Sequence, residues 1–158
     1  MQAKIISLEQ TENGGLFTIS YEDKNESEFE EFIDKFKNDA TCKEDLHVIL
    51  NAIQKMLDAS GFLERRFRPE GKMKDHVCAL PVTTNKLRLY CLRLSDCILI
   101  VGNGGRKQTK TYEEDEVLNG YIIELQKLDA LLKEGIKNGT ITIQGTALEG
   151  INDKIFDL

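Results

Sequence analysis

Polar and apolar residues alternate from Lys4 to Leu8 and again from Leu16 to Tyr21, with Asn13, Gly14 and Gly15 between the two runs. A period of two puts one set of side chains on one face of a strand, and Asn-Gly between such runs signals a turn. The chain therefore opens on an amphipathic hairpin, residues 1–24. The period then lengthens. Ser27 and Glu30 have capping-box spacing, and Phe29, Phe32, Ile33 and Phe36 recur every three or four residues, which predicts a short helix to about Lys37. Thr41 and Glu44 repeat the box, and Leu46, Ile49, Leu50, Ile53, Met56 and Leu57 form one apolar stripe, predicting a longer helix that stops before Gly61.

Pro69 and Gly71 argue against regular structure from Glu64 to Asp75. Three β-type runs follow, Val77 to Val82, Leu87 to Leu94 and Ile98 to Val101, joined by connections short enough to make them antiparallel neighbours. Within the second run Arg88 and Tyr90 share the face opposite Leu89, so one side is expected to be core and the other free for chemistry. Gly102 to Lys107 reads as a flexible strand exit. Thr111 and Glu114 form a third box before a helix whose Val117, Tyr121, Ile122, Leu125, Leu128 and Leu132 fall on one face, stopping near Gly135. The tail, 136–158, is a net-acidic extension with one β-like stretch, Thr140 to Gln144, and no clear helix.

These elements make an α+β chain: two N-terminal helices and a C-terminal helix on a small antiparallel sheet, with an added hairpin. At 158 residues it fits one domain, since such a length buries about 70% of its unfolded surface around a single core. No apolar run reaches the roughly 18 residues of a membrane span, and Met1 to Leu16 lacks the form of a signal peptide, so a cytoplasmic location is expected. Cys42, Cys78, Cys91 and Cys97 show no CxxC spacing and read as reduced and mostly buried.

Charge changes the picture. The formal total is -6, yet Gly61 to Thr111 holds eleven Lys and Arg against four Asp and Glu, a net +7, which leaves -13 on the remainder. A positive field concentrated on an acidic chain suggests a polyanionic partner chosen by site, with nucleic acid the first candidate; the alternative is acid-base pairing within the molecule. Arg65, Arg66, Arg68, Lys72, Lys74, His76, Lys107 and Lys110 are the nucleic-acid-binding candidates.

The motifs narrow the chemistry. Gly102-Asn-Gly-Gly-Arg-Lys107 lacks the spacing of a nucleotide phosphate loop. Neither His47 nor His76 stands at a metal or nucleophile spacing from a cysteine, so no metal and no cofactor is expected. The stronger arrangement is Arg88 on a central strand, Arg106 and Lys107 just past the next, and Tyr112 before the last helix. Cleavage of RNA through its 2'-hydroxyl needs a base, cations beside the phosphate and a proton for the departing oxygen. The arginines meet the second need. Tyr112 would stack a base, or move a proton where positive charge lowers its pKa of ~10, or simply pack at the helix start.

The order of two helices, a basic loop, antiparallel strands and a final helix, with Leu87-Arg88-Leu89-Tyr90, Ile98 to Val101, Gly105-Arg106-Lys107 and Tyr112, resembles the RelE/ParE toxin superfamily over about residues 28–132. The stretch looks like the RelE branch, which implies a ribosome-dependent endoribonuclease acting on messenger RNA without metal and silenced by a cognate acidic antitoxin. On that resemblance the catalytic residues would be Arg88 and Arg106 at the scissile phosphate and Tyr112 as the base-like or stacking residue. The family's lysine pair would fall near Val77 and Ala79, neither of them basic; Lys72, Lys74 and His76 lie slightly upstream. The competing expectation is a noncatalytic protein on the same scaffold: an RNA-binding module, a gyrase-inhibitor-like protein or a regulatory subunit.

Overall fold

The computed structural model describes residues 1–70, 75–80, 86–107 and 115–158. The chain runs β1 (Gln2–Gln10), β2 (Gly15–Tyr21), α1 (Glu28–Phe36) and α2 (Lys43–Lys55), the last continued by a π-helical turn at Met56–Ser60. A 3-10 turn at Glu64–Arg66 leads to β3 (Arg68–Pro69), β4 (Val77–Leu80), β5 (Leu87–Ser95) and β6 (Ile98–Arg106). Then come α3 (Glu116–Asn138), β7 (Thr142–Gln144), β8 (Ala147–Glu149) and β9 (Phe156–Asp157).

The α+β reading holds, but the sheet is large. Seven strands lie in the order β3-β4-β5-β6-β2-β1-β9, and every neighbouring pair is antiparallel except β2 with β6. The first hairpin is therefore an integral part of the sheet. The reason lies in β2, where all residues but Ser20 are buried, as a strand covered on both faces requires. Its Thr18 hydroxyl donates to the Val101 carbonyl at 2.7 Å, satisfying a buried polar group across the parallel joint. The acidic tail returns to the other edge, where β9 pairs with β1 and the Met1 ammonium meets Asp157 at 3.2 Å.

The sheet separates two apolar layers. Leu16, Leu87, Leu89, Cys91, Leu99 and Val101 face α1 and α2, meeting Phe32, Leu46, Ile49 and Ile53. Ile5, Ile19, Tyr90, Leu92 and Ile100 face α3, meeting Leu118, Ile122, Leu125, Leu128 and Leu132. The helical stripes read from the sequence thus find their partners, except that Val117 is 63% exposed. It falls in the first turn of α3, outside the contact with the sheet. Cys42, Cys78 and Cys91 are buried free thiols and Cys97 is half-buried.

Helix starts differ in part from the box pattern. Ser27 caps α1 as predicted, accepting from the Glu30 amide at 3.2 Å. Thr41 instead donates its hydroxyl to Asp39 at 2.7 Å, and α2 starts one residue later without a side-chain cap. The third box, at Thr111 and Glu114, lies outside the described residues. The cap of α3 is Asp115, whose carboxylate accepts from the Val117 and Leu118 amides at 3.0 and 3.2 Å. This helix runs past Gly135 to Asn138 and closes on Gly139 at φ 84°, the left-handed conformation that ends helices at little cost for glycine.

Candidate functional site

The register of the sheet decides which cations meet. Arg68 pairs with Ala79 and Ala79 with Tyr90, while Arg88 pairs with Gly105 and Leu87 with Arg106. Directly opposed residues share a face, and along one strand faces alternate. Ala79 and Tyr90 lie in the layer under α3, so Arg68 and Arg88 project to the α3 side. Leu87 lies in the layer under α1 and α2, so Arg106 projects to the opposite side. There its charge reaches Asp39, whose carboxyl is held low first by hydrogen bonds from Thr41 and then by Arg106. Arg88 and Arg106, expected to converge, are split by the sheet. One residue beyond, Lys107 returns to the α3 side, its amide donating to the Lys86 carbonyl at 2.7 Å.

Glycine makes this register possible. A Cβ on Gly104 would lie 1.9 Å from the Arg88 carbonyl oxygen, so β6 approaches β5 more closely than any side chain permits. The segment predicted as a flexible exit is accordingly strand as far as Arg106. A register shift follows between Leu89 and Cys91.

The α3-side group comprises Arg68, Glu70, Arg88, Tyr90 and Lys107. The Arg68 Nε stands 3.6 Å from a Glu70 carboxylate oxygen, with 39% of the Arg68 side chain exposed. Burial raises the Glu70 carboxyl, and Arg68, Lys107 and Arg88 oppose that rise. Burial lowers Lys107, helped by the charges of Arg68 and Arg88. Arg88 is only 3% exposed and one of its Nη atoms donates to the Leu87 carbonyl at 3.2 Å. Desolvation, then the charge of Arg68, lowers it. Tyr90 is fully buried and its hydroxyl is pushed upward, first by burial. The face expected to be open beside Arg88 and Tyr90 is thus covered, because α3 packs on it. Arg88 supplies charge from beneath the surface, while Arg68 and Lys107 are reachable.

The other predicted residues scatter. His76 puts Nδ1 2.6 Å from a carboxylate oxygen of Asp129 on α3, and Lys133 holds the second oxygen at 2.9 Å. Those contacts hold Asp129, itself 2% exposed, low against the opposing effect of burial. Arg65 and Arg66 are exposed on the 3-10 turn, next to a groove along α2 and thus on the far face from Lys107. Lys72, Lys74, Lys110 and Tyr112 lie outside the described residues. Among the described residues no group of three or more His, Cys, Asp or Glu could hold a metal ion.

A second polar cluster joins α1 to α3 where β2 and β6 diverge. Asn103, 1% exposed, donates to Glu28 at 3.0 Å and accepts from Lys35 at 2.8 Å; Lys35 also donates to the Gly104 carbonyl and to the Tyr121 hydroxyl. Lys24 pairs with the buried Glu28 at 3.3 Å and with Glu31 at 3.5 Å. Glu124 accepts from Tyr21, and burial followed by the Glu28 charge pushes its carboxyl up to about 7. Neither Glu70 nor this cluster is apparent from the charge count. One signal was available: Glu124 and Asp129 interrupt the apolar stripe of α3, and an acidic residue on a buried helix face needs partners.

No helix among the described residues is long and apolar enough to cross a membrane. No family model, no curated protein and no solved structure matches this chain.

Proposed function

We propose that this chain is a RelE-like, ribosome-dependent endoribonuclease that inhibits translation, with its working site on the α3 side of β3, β5 and β6. The observation that carries the reading is the gathering of Arg68, Arg88 and Lys107 around one buried carboxyl, Glu70. Three cations raise local phosphate concentration and favour the added negative charge of a pentavalent phosphorus. Glu70 has a raised pKa and Lys107 a lowered one, so each moves toward neutrality, where a base and an acid exchange protons best.

In this reading Glu70 takes the proton of the 2'-hydroxyl, and the 2'-oxygen forms a bond to phosphorus. The bond from phosphorus to the 5'-oxygen breaks, and Lys107 donates a proton to that oxygen. The products are a 2',3'-cyclic phosphate and a free 5'-hydroxyl. Arg68 touches the phosphate directly and Arg88 strengthens the field from below. Arg106 has no part in it, a revision of the role its motif implied. A cognate acidic antitoxin would silence the site by occupying the same cations.

The test is induced expression with mapping of messenger ends. Glu70→Gln should lower cleavage by roughly 10²-fold or more, the usual worth of a positioned base. Arg68→Ala and Lys107→Ala should each cut it deeply, and Arg106→Ala should leave it within about twofold. Cleavage that survives Glu70→Gln but fails in Arg106→Ala would overturn the assignment.

A second reading, a noncatalytic RNA-binding protein, is favoured by the separation of Arg106 from Arg88 across the sheet. Salt-sensitive RNA binding by the wild-type chain, with no cleavage products when ribosomes are present, would select it.

A further inference from the structure

Arg65 and Arg66 stand apart from the cation group on the α3 side, and among the described residues neither has a carboxylate partner. They rim a groove of about 740 Å³ along the outer side of α2 and its π-helical extension. Its floor is apolar: Val48, Ala52, Met56 and Leu80. Val48 is 49% exposed, a large aliphatic side chain left in water next to two small ones, Ala52 and Ala59. Lys55 adds a third cation to the rim, and Asp58 is its acidic member, already accepting from Gln54 at 3.0 Å.

We infer that this groove docks an acidic amphipathic helix of a partner protein. An apolar trough flanked by cations fits a helix that presents aliphatic side chains at three- and four-residue spacing with carboxylates beside them. Small residues at Ala52 and Ala59 let a second helix axis come close. A phosphate backbone would use the arginines but leave the aliphatic floor wet, and a neutral apolar peptide would leave the arginines unused. The groove lies on the α2 side of the sheet, so the inference stands independently of RNA cleavage on the α3 side.

A displayed library of helical 16-residue peptides, panned against the folded full chain, tests it. Enriched sequences should carry Glu or Asp flanking aliphatic residues at i, i+3 or i+4, and i+7. Binding of such a peptide, read by fluorescence anisotropy, should weaken about tenfold or more in the double variant Arg65→Glu, Arg66→Glu and in Val48→Arg, and should fall with added salt. All three positions are exposed, and an unchanged melting temperature confirms the fold. A Lys-for-Glu version of the peptide should prefer the arginine-reversed variant, a charge swap that general loss of structure would not produce. Three outcomes overturn the proposal: no enrichment, enrichment of basic or uncharged peptides, or acidic binders indifferent to the groove variants. Loss of RNA-oligonucleotide binding in the arginine-reversed variant, without any acidic helix binder, would instead assign the rim to phosphate and equally overturn it.

Discussion

Replacing Glu124 with Gln isolates the polar joint between α1 and α3. The wild-type carboxyl titrates at about 7 in the folded chain against the ordinary 4.5, chiefly because it is buried and because the Glu28 charge is near. Groups facing it are Tyr21 from β2 and Lys24, Glu28 and Glu31 from the α1 side. A raised acid pKa means that the folded state holds the proton more tightly than the unfolded state. The associated stability is present in full below pH 4.5 and is lost as pH rises through about 7. Each unit corresponds to about 1.4 kcal/mol, which sets an upper bound of about 3.5 kcal/mol; solvent at the half-buried carboxyl reduces this to an expected value of about 2 kcal/mol.

Gln keeps an acceptor for the Tyr21 hydroxyl but cannot ionise. At pH 8 the variant should exceed the wild type by about 2 kcal/mol, equivalent to about 4 to 8 °C in melting temperature for a chain of this size. At pH 4 the two should nearly coincide. Thermal melts from pH 4 to 8 followed by circular dichroism give the difference curve, and the midpoint of the Glu124 carboxyl carbon shift in NMR checks the titration directly. Parallel melting curves for the two proteins over that range would refute the argument.

Other perturbations probe the scaffold. Gly104→Ala would set a methyl 1.9 Å from the Arg88 carbonyl oxygen, so β5 and β6 must part. The expected loss is about 3 kcal/mol in urea unfolding, with faster amide exchange along both strands. Asp115→Ala removes the acceptor of two amides at the start of α3 and should cost about 1 kcal/mol, read as a lower urea midpoint with an unchanged slope. Phe32→Ala empties a fully buried site between α1, α2 and the sheet, for a loss of about 3 to 5 kcal/mol by chemical denaturation.

The period of apolar residues determined the three helices and strands β1, β2, β4, β5 and β6, but not β3, which lies in a stretch read as irregular, nor β8 and β9 in the tail. Phe32, Ile49, Leu125 and Leu128 are buried where their helical spacing put them, because local periodicity carries which side chains share a face; β5 also alternates in direction as read, yet α3 covers the side expected to be open. Cap positions were less legible. Thr41 gives its hydroxyl to Asp39 and leaves α2 without a side-chain cap, whereas the Asp115 carboxylate caps α3, and residue spacing does not record which short hydrogen bond forms.

Only the tertiary structure decided the site. A single position of register at Leu87 and Arg106 sends Arg106 to the α2 side and returns Lys107 to the α3 side, and nothing in the local pattern of β6 marks which residue of β5 it opposes. Likewise Arg65 and Arg68 differ by three residues in sequence yet serve opposite faces, because the turn at Glu64–Arg66 ends just before β3 enters the sheet. Charge content belongs to the chain; which charges share a low-dielectric surface belongs to strand register and to the helix laid over it.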